Sequence, residues 1–254
     1  MDLIRKIAIY EKMFKFDGFK VLDTSFLDIS WNDKIGRLAD FARKREAINA
    51  GIDFYDFLNR AVDNSVTFPS ETIEEFARLK LHFSRFSRSL RYSKHSDSKM
   101  IAFHKALKKI IDKQKNLINH VFESHKTEQY FTSDMEWQEK FLPAILDVSK
   151  REGIKIDHRV HYKSPFSSNP RHDDNDERIF AKSLELSRFY PVFLLTKDSD
   201  FNRMHEVFYA NLVSLTKRYG LCAPRFGVNI VFFNEGNENY FIFDPSLKRT
   251  KYSI

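Results

Sequence analysis

A chain of 254 residues with a formal net charge of +7, 26 phenylalanines and 42% hydrophobic content is too apolar to stay disordered. It is long enough for one α/β domain over residues 1–254 that carries a large insertion. The single cysteine, Cys222, excludes an internal disulfide, and no run approaches the roughly 18 apolar residues of a bilayer span.

The opening residues, MDLIRKIAIYEKMF, interrupt their apolar positions with charge and so lack the core of a signal peptide, which predicts a soluble cytoplasmic protein with no membrane partner. Leu3, Ile4, Ile7, Tyr10 and Phe14 recur at helical spacing, predicting a helix over 1–17 that Asp17 and Gly18 close. A short strand over Phe19 to Leu22 follows. Ile35, Leu38, Phe41 and Ala42, then Phe54, Phe57 and Leu58, predict two helices within 34–61 broken near Gly51. Val66 to Phe68 reads as a second strand, and Pro69 opens a helix.

From about 78 to 160 the chain is charged and helical. Met100, Phe103, Leu107, Ile110, Leu117 and Val121 form an apolar stripe interrupted only by Gln114, the pattern of a core-facing helix. Residues 164–176, SPFSSNPRHDDND, have the composition of a loop. Beyond it the pattern predicts a helix over Glu177 to Arg188, a strand over Val192 to Leu195, a helix over Asn202 to Tyr219 and a strand over Val228 to Phe233. Strands alternating with helices imply a parallel sheet covered on both faces.

In such a sheet the C-terminal strand ends and the N-termini of the following helices share one edge, where ligands bind. Asp23 and Asp198 end strands, Glu75 lies early in the helix after Val66 to Phe68, and Asp176 starts the helix that feeds the strand before Asp198. Carboxylates gathered there repel one another unless cations neutralise them, and an all-oxygen set suits Mg²⁺ or Mn²⁺ better than zinc. Each acid also has a structural alternative: Asp198 as a helix cap, Asp176 as a complement to a helix dipole, and Glu75 as the partner of Thr72 in a capping box.

The segments VLDTSFL, FPSETIEEF, DERIFAKSLEL and LLTKDSDF, in that order, resemble the successive acidic motifs of PIN-domain ribonucleases. The resemblance covers residues 19–31, 66–80 and 174–233. It implies a three-layer fold with a mostly parallel five-stranded sheet and a core over 19–76 and 174–254; the helices over about 78–160 depart from the family's pattern and read as an insertion. It further implies Mg²⁺- or Mn²⁺-dependent hydrolysis of RNA by Asp23, Glu75, Asp176 and Asp198. Asp23, Asp176 and Asp198 would hold metal with Asp200 as an accessory, and Thr24 and Thr196 would supply hydroxyls. Glu74, Glu71 or Glu46 would replace Glu75 in a different register.

A pI near 9.3 favours a polyanionic partner, and Arg85, Arg88, Arg91, Lys105 and Lys109 are the candidates to track RNA, although such runs also form ordinary solvated faces. The rival reading is a PIN-like module that binds RNA or protein, or pairs with a second copy, without cutting. A haloacid-dehalogenase-type enzyme ranks lower, because the position two after Asp23 is Ser25 and not a second Asp. His158 and His161 are too dispersed for a metal motif.

Overall fold

Short apolar strands with alternating side chains decide the layering. In the computed structural model, which describes residues 10–27, 41–61, 65–91, 98–122, 136–151, 174–234 and 239–252, six strands form one sheet. They are β1 (Phe19–Leu22), β2 (Val66–Thr67), β3 (Val192–Thr196), β4 (Val228–Asn234), β5 (Asn239–Phe243) and β6 (Arg249–Tyr252), in spatial order β2-β1-β3-β4-β5-β6. Leu22, Leu195, Val231 and Phe233 point to one face, and Val21, Val192, Leu194, Val228 and Ile230 to the other. This is the period-two pattern of strands buried on both sides.

The expected five-stranded, mostly parallel sheet is corrected to a mixed sheet of six. β2, β1, β3 and β4 are parallel, whereas β5 and β6 run antiparallel to their neighbours. Connection length explains the change of direction. Residues 235–238 alone separate β4 from β5, and residues 244–248 separate β5 from β6, while a parallel return needs a crossover of a dozen or more residues.

Eight α-helices whose two ends both lie among the described residues cover the sheet: α1 (Thr24–Leu27), α2 (Phe41–Ala61), α3 (Ser70–Arg91), α4 (Ser98–Asn116), α5 (Leu142–Arg151), α6 (Asn175–Leu186), α7 (Asp200–Ala210) and α8 (Leu212–Tyr219). Apolar residues of α2, α3 and α4 build the core on one face, and those of α5 to α8 build it on the other. The helices between α3 and α6 are thus divided between the two layers. Tyr10 and Met13 pack in the first core, residues 10–14 being helical, and residues 1–9 lie outside the described residues.

Two predicted helix boundaries change. α2 runs unbroken through Gly51, because the roughly 1 kcal/mol a mid-helix glycine costs is small beside the burial of Ile48, Ile52, Tyr55 and Leu58. The predicted helix over Asn202 to Tyr219 is two, joined at Asn211. The apolar stripe of α4 is buried as expected, and Gln114 is buried within it. Its Nε2 donates to the Tyr55 hydroxyl at 3.3 Å, which in turn donates to the Leu27 carbonyl at 3.1 Å. No described helix is long and apolar enough to cross a membrane. Residues 152–173, including His158, His161 and most of the predicted loop, lie outside the described residues.

At the start of β1, Gly18 adopts φ +143°, and a Cβ there would stand 2.5 Å from the Pro191 carbonyl oxygen, which accepts the Phe19 N–H at 2.8 Å. Gly18→Ala is therefore expected to cost about 1 to 3 kcal/mol, lowering Tm by roughly 2 to 4 °C for each kcal/mol. Urea denaturation and calorimetry of the two proteins measure it.

Candidate metal centre

β1 and β3 are parallel neighbours with Leu22 opposite Leu195, so Asp23 emerges beside Thr196. The chain passes from β1 to β2 on one side and then to β3 on the other, which makes the gap between β1 and β3 the topological switch point of the sheet. There Thr196 Oγ1 donates to Asp23 Oδ2 at 2.8 Å, Ser25 Oγ donates to the same oxygen, and the Ser25 N–H reaches it at 3.2 Å. Both hydroxyls are oriented in turn. The Lys197 N–H donates to Ser25 Oγ and the Asp198 N–H to Thr196 Oγ1, each at 2.9 Å. Each hydroxyl thus accepts from backbone through one lone pair and donates its one proton to Asp23, and the two oxygens lie 3.0 Å apart. Oδ1 of Asp23 accepts no hydrogen bond from a described residue.

The other acids repeat this division. Asp198 Oδ1 accepts the Asp200 N–H at 2.9 Å, so the capping role open to Asp198 is filled by one oxygen, leaving Oδ2 without a described donor. Glu75 Oε1 accepts from Asn175 Nδ2 at 2.6 Å, and its Oε2 has no described donor. Asp176, part-buried in the first turn of α6, accepts no hydrogen bond from a described residue.

The candidates for the fourth position separate clearly. Glu71 is tied to Lys182, Glu74 and Glu46 are exposed, and Glu75 reaches the Asn175 side chain beside Asp176. Thr72 forms no capping box with Glu75, because its hydroxyl donates to the Leu22 carbonyl at 2.9 Å. Asp200 sits in the first turn of α7. Thr24, expected to present its hydroxyl beside Asp23, buries Oγ1 without a partner, and Ser25 takes that role. Ser25 was legible as the residue two positions on, the reach of an Asx-type turn; nothing in the sequence marked Asn175. Arg88, Lys105 and Lys109 are exposed, and the side chains of Arg85 and Arg91 lie outside the described residues.

Electrostatics tie the four acids together. Burial pushes the Asp23 carboxyl up to about 7 against the opposing Ser25 and Thr196 hydrogen bonds, and the charges of Glu75 and Asp198 push the same way as burial. Burial likewise holds Asp176 well above the usual carboxylate range, reinforced by Asp23, Asp198, Glu75 and Glu177. No described lysine or arginine pairs with Asp23, Glu75, Asp176 or Asp198. Compared with known proteins, the chain matches no family model, no curated protein and no solved structure.

The donor set suits a hard divalent cation: carboxylate oxygens, unused by hydrogen bonds, on one buried and three part-buried acids whose negative charges act on one another. Among the described residues no three His, Cys, Asp or Glu side chains are arranged to hold an ion. Mg²⁺ asks for less, since it keeps several waters and takes one or two carboxylates directly.

A raised carboxyl pKa means that the folded state holds its proton longer, so the Asp23 contribution to stability falls as pH rises from about 4 to about 7. Each pH unit in that window is worth at most about 1.4 kcal/mol. Buried His205, lowered to about 4 by burial, works in the opposite direction, losing stability as pH falls below about 6.5. Comparison with Asp23→Asn isolates the first effect. In chelator at pH 7.5 the variant is expected to melt above the wild type, and the gap to shrink toward pH 5 in thermal unfolding. A variant less stable at pH 7.5 overturns the assignment.

Proposed function

We propose that the protein is a Mg²⁺- or Mn²⁺-dependent endoribonuclease whose centre is built from Asp23, Glu75, Asp176 and Asp198. One observation carries this reading: carboxylates from four elements influence one another at the switch point of the sheet, with oxygens that no described donor occupies. The ordered motifs VLDTSFL, FPSETIEEF, DERIFAKSLEL and LLTKDSDF support the nuclease class, and the net charge of +7 supports a polyanionic substrate.

In this reading Ser25 and Thr196 hold Oδ2 of Asp23, and Oδ1 would be the oxygen offered to the ion. Asp198 is fixed through its contact with the start of α7, and Glu75 through Asn175. Asp176 is the carboxylate free to adjust, and Asp200 is placed to orient a water. When bound, a divalent ion supplies Lewis acidity, lowering the pKa of a water and offsetting charge on the scissile phosphate. No side chain has to act as nucleophile.

Cleavage of single-stranded RNA is expected to require Mg²⁺ or Mn²⁺ and to stop in EDTA. Asp23→Asn, Asp176→Asn and Asp198→Asn each lower it by more than about 100-fold, the upper end of what outer-shell changes cost at metal sites. Activity unchanged in Asp23→Asn and Asp198→Asn rules out this centre.

The second reading, a PIN-like module that binds RNA without cutting, draws on the net charge of +7 and on Arg88, Lys105 and Lys109 standing exposed. It is favoured if RNA binds but is not cleaved with either metal. In both readings Lys105→Gln with Lys109→Gln is expected to weaken RNA binding. Each lost phosphate contact reduces the slope of log K against log salt by about 0.7 in magnitude. Filter binding across a salt series measures that slope.

A further inference from the structure

Two contacts join the first turns of α3 to α6. Glu75 accepts from Asn175 at 2.6 Å, and Glu71 takes both its oxygens to Lys182 Nζ, at 2.8 and 2.6 Å. Glu71 and Glu75 are four apart and Asn175 and Lys182 seven apart, so each pair lies on one face of its helix. The Lys182–Glu71 pair is buried, with side chains 7% and 10% exposed. Its ammonium also donates to Ser70 Oγ at 2.9 Å and lies 4.8 Å from the centre of the Trp137 ring. Trp137 belongs to a π-helical turn (Trp137–Phe141) between α4 and α5, and neighbouring Glu136 pairs with Arg188, just past the end of α6, at 2.6 Å.

Burying an ion pair contributes little net stability, because desolvation offsets the attraction, and an apolar pair of similar volume often serves as well. What such a pair does supply here is geometry. We propose that Lys182 and Glu71, roofed by Trp137, are positioning residues that set the spacing of Glu75 on α3 and Asp176 on α6, and so the affinity of the centre for a divalent ion. The inference rests on the metal-centre reading above. It assigns Glu136 and Trp137 a task as well: bracing the helix that carries Asp176 at Arg188 and at Lys182.

Equilibrium Mn²⁺ binding, followed by the electron paramagnetic resonance signal of the free ion, tests it alongside thermal unfolding in chelator. Glu71→Met combined with Lys182→Met removes both charges and is expected to keep Tm within a few degrees of the wild type. The same double variant weakens Mn²⁺ binding by about tenfold or more, the scale of outer-shell losses. The isosteric Glu71→Gln, which leaves hydrogen bonds to Lys182 feasible, falls between the double variant and the wild type. Mn²⁺ binding that Asp23→Asn abolishes but that the double variant and Glu71→Gln both retain at wild-type strength overturns this inference alone. If the wild type itself binds no Mn²⁺, the metal-centre reading falls and takes this inference with it.

Discussion

Parallel pairing of β1 with β3 is the constraint on which the edge chemistry depends. With Leu22 opposite Leu195, the next residue of each strand faces the other across the switch point, and Asp23 meets Thr196 without a loop to adjust the distance. A slip of one residue would turn Asp23 to the opposite face and leave Thr196 without its acceptor. The alternating burial of Val21, Leu22, Leu194 and Leu195 between two cores prevents that slip, since it would expose each side chain to the wrong layer. Hydrophobic packing below the edge thus specifies the polar geometry at the edge.

Concentrating acids at that point opposes folding, and the surroundings divide the cost. Asp23 has two hydroxyls and an N–H on one oxygen, Asp198 the start of a helix, and Glu75 an amide, so each is held through one oxygen while the other stays available. The two cations of α6 are engaged elsewhere, Lys182 by Glu71 and Arg178 by Asp174, and neither is paired with the four acids. Stability is therefore sacrificed locally, and an ion bound there would restore it, as the proposed function requires.

Much of this was legible in the sequence because its signals are local. The strand Phe19 to Leu22, the proline-led helix at Ser70, and the helix feeding Val192 follow from periodicity and punctuation, and together they imply which acids share an edge. Other features depended on contacts that no local pattern encodes. Gly51 argued for a break in α2, yet tertiary packing overrode it. Thr24 and Ser25 are equally good hydroxyl donors on paper; the turn into α1 directs Ser25 to Asp23 and Thr24 into the interior. Asn175 and Lys182 acquire meaning only once α6 lies against α3. The antiparallel end of the sheet was hidden because no strand was read beyond Val228 to Phe233, where Asn239–Phe243 and Arg249–Tyr252 follow without intervening helices.

The buried relay from Gln114 through Tyr55 to the Leu27 carbonyl has a consequence for how the edge moves. A helix of four residues has almost no stability of its own, and α1 follows Asp23 immediately. Ladder bonds hold the segment before Asp23 and the relay holds the segment after it, so releasing the aspartate requires opening the sheet or separating α2 from α4. In the language of native-state hydrogen exchange, residues 19–27 are then expected to open late, and a carboxylate whose ionisation burial opposes sits in a part of the chain held on both sides.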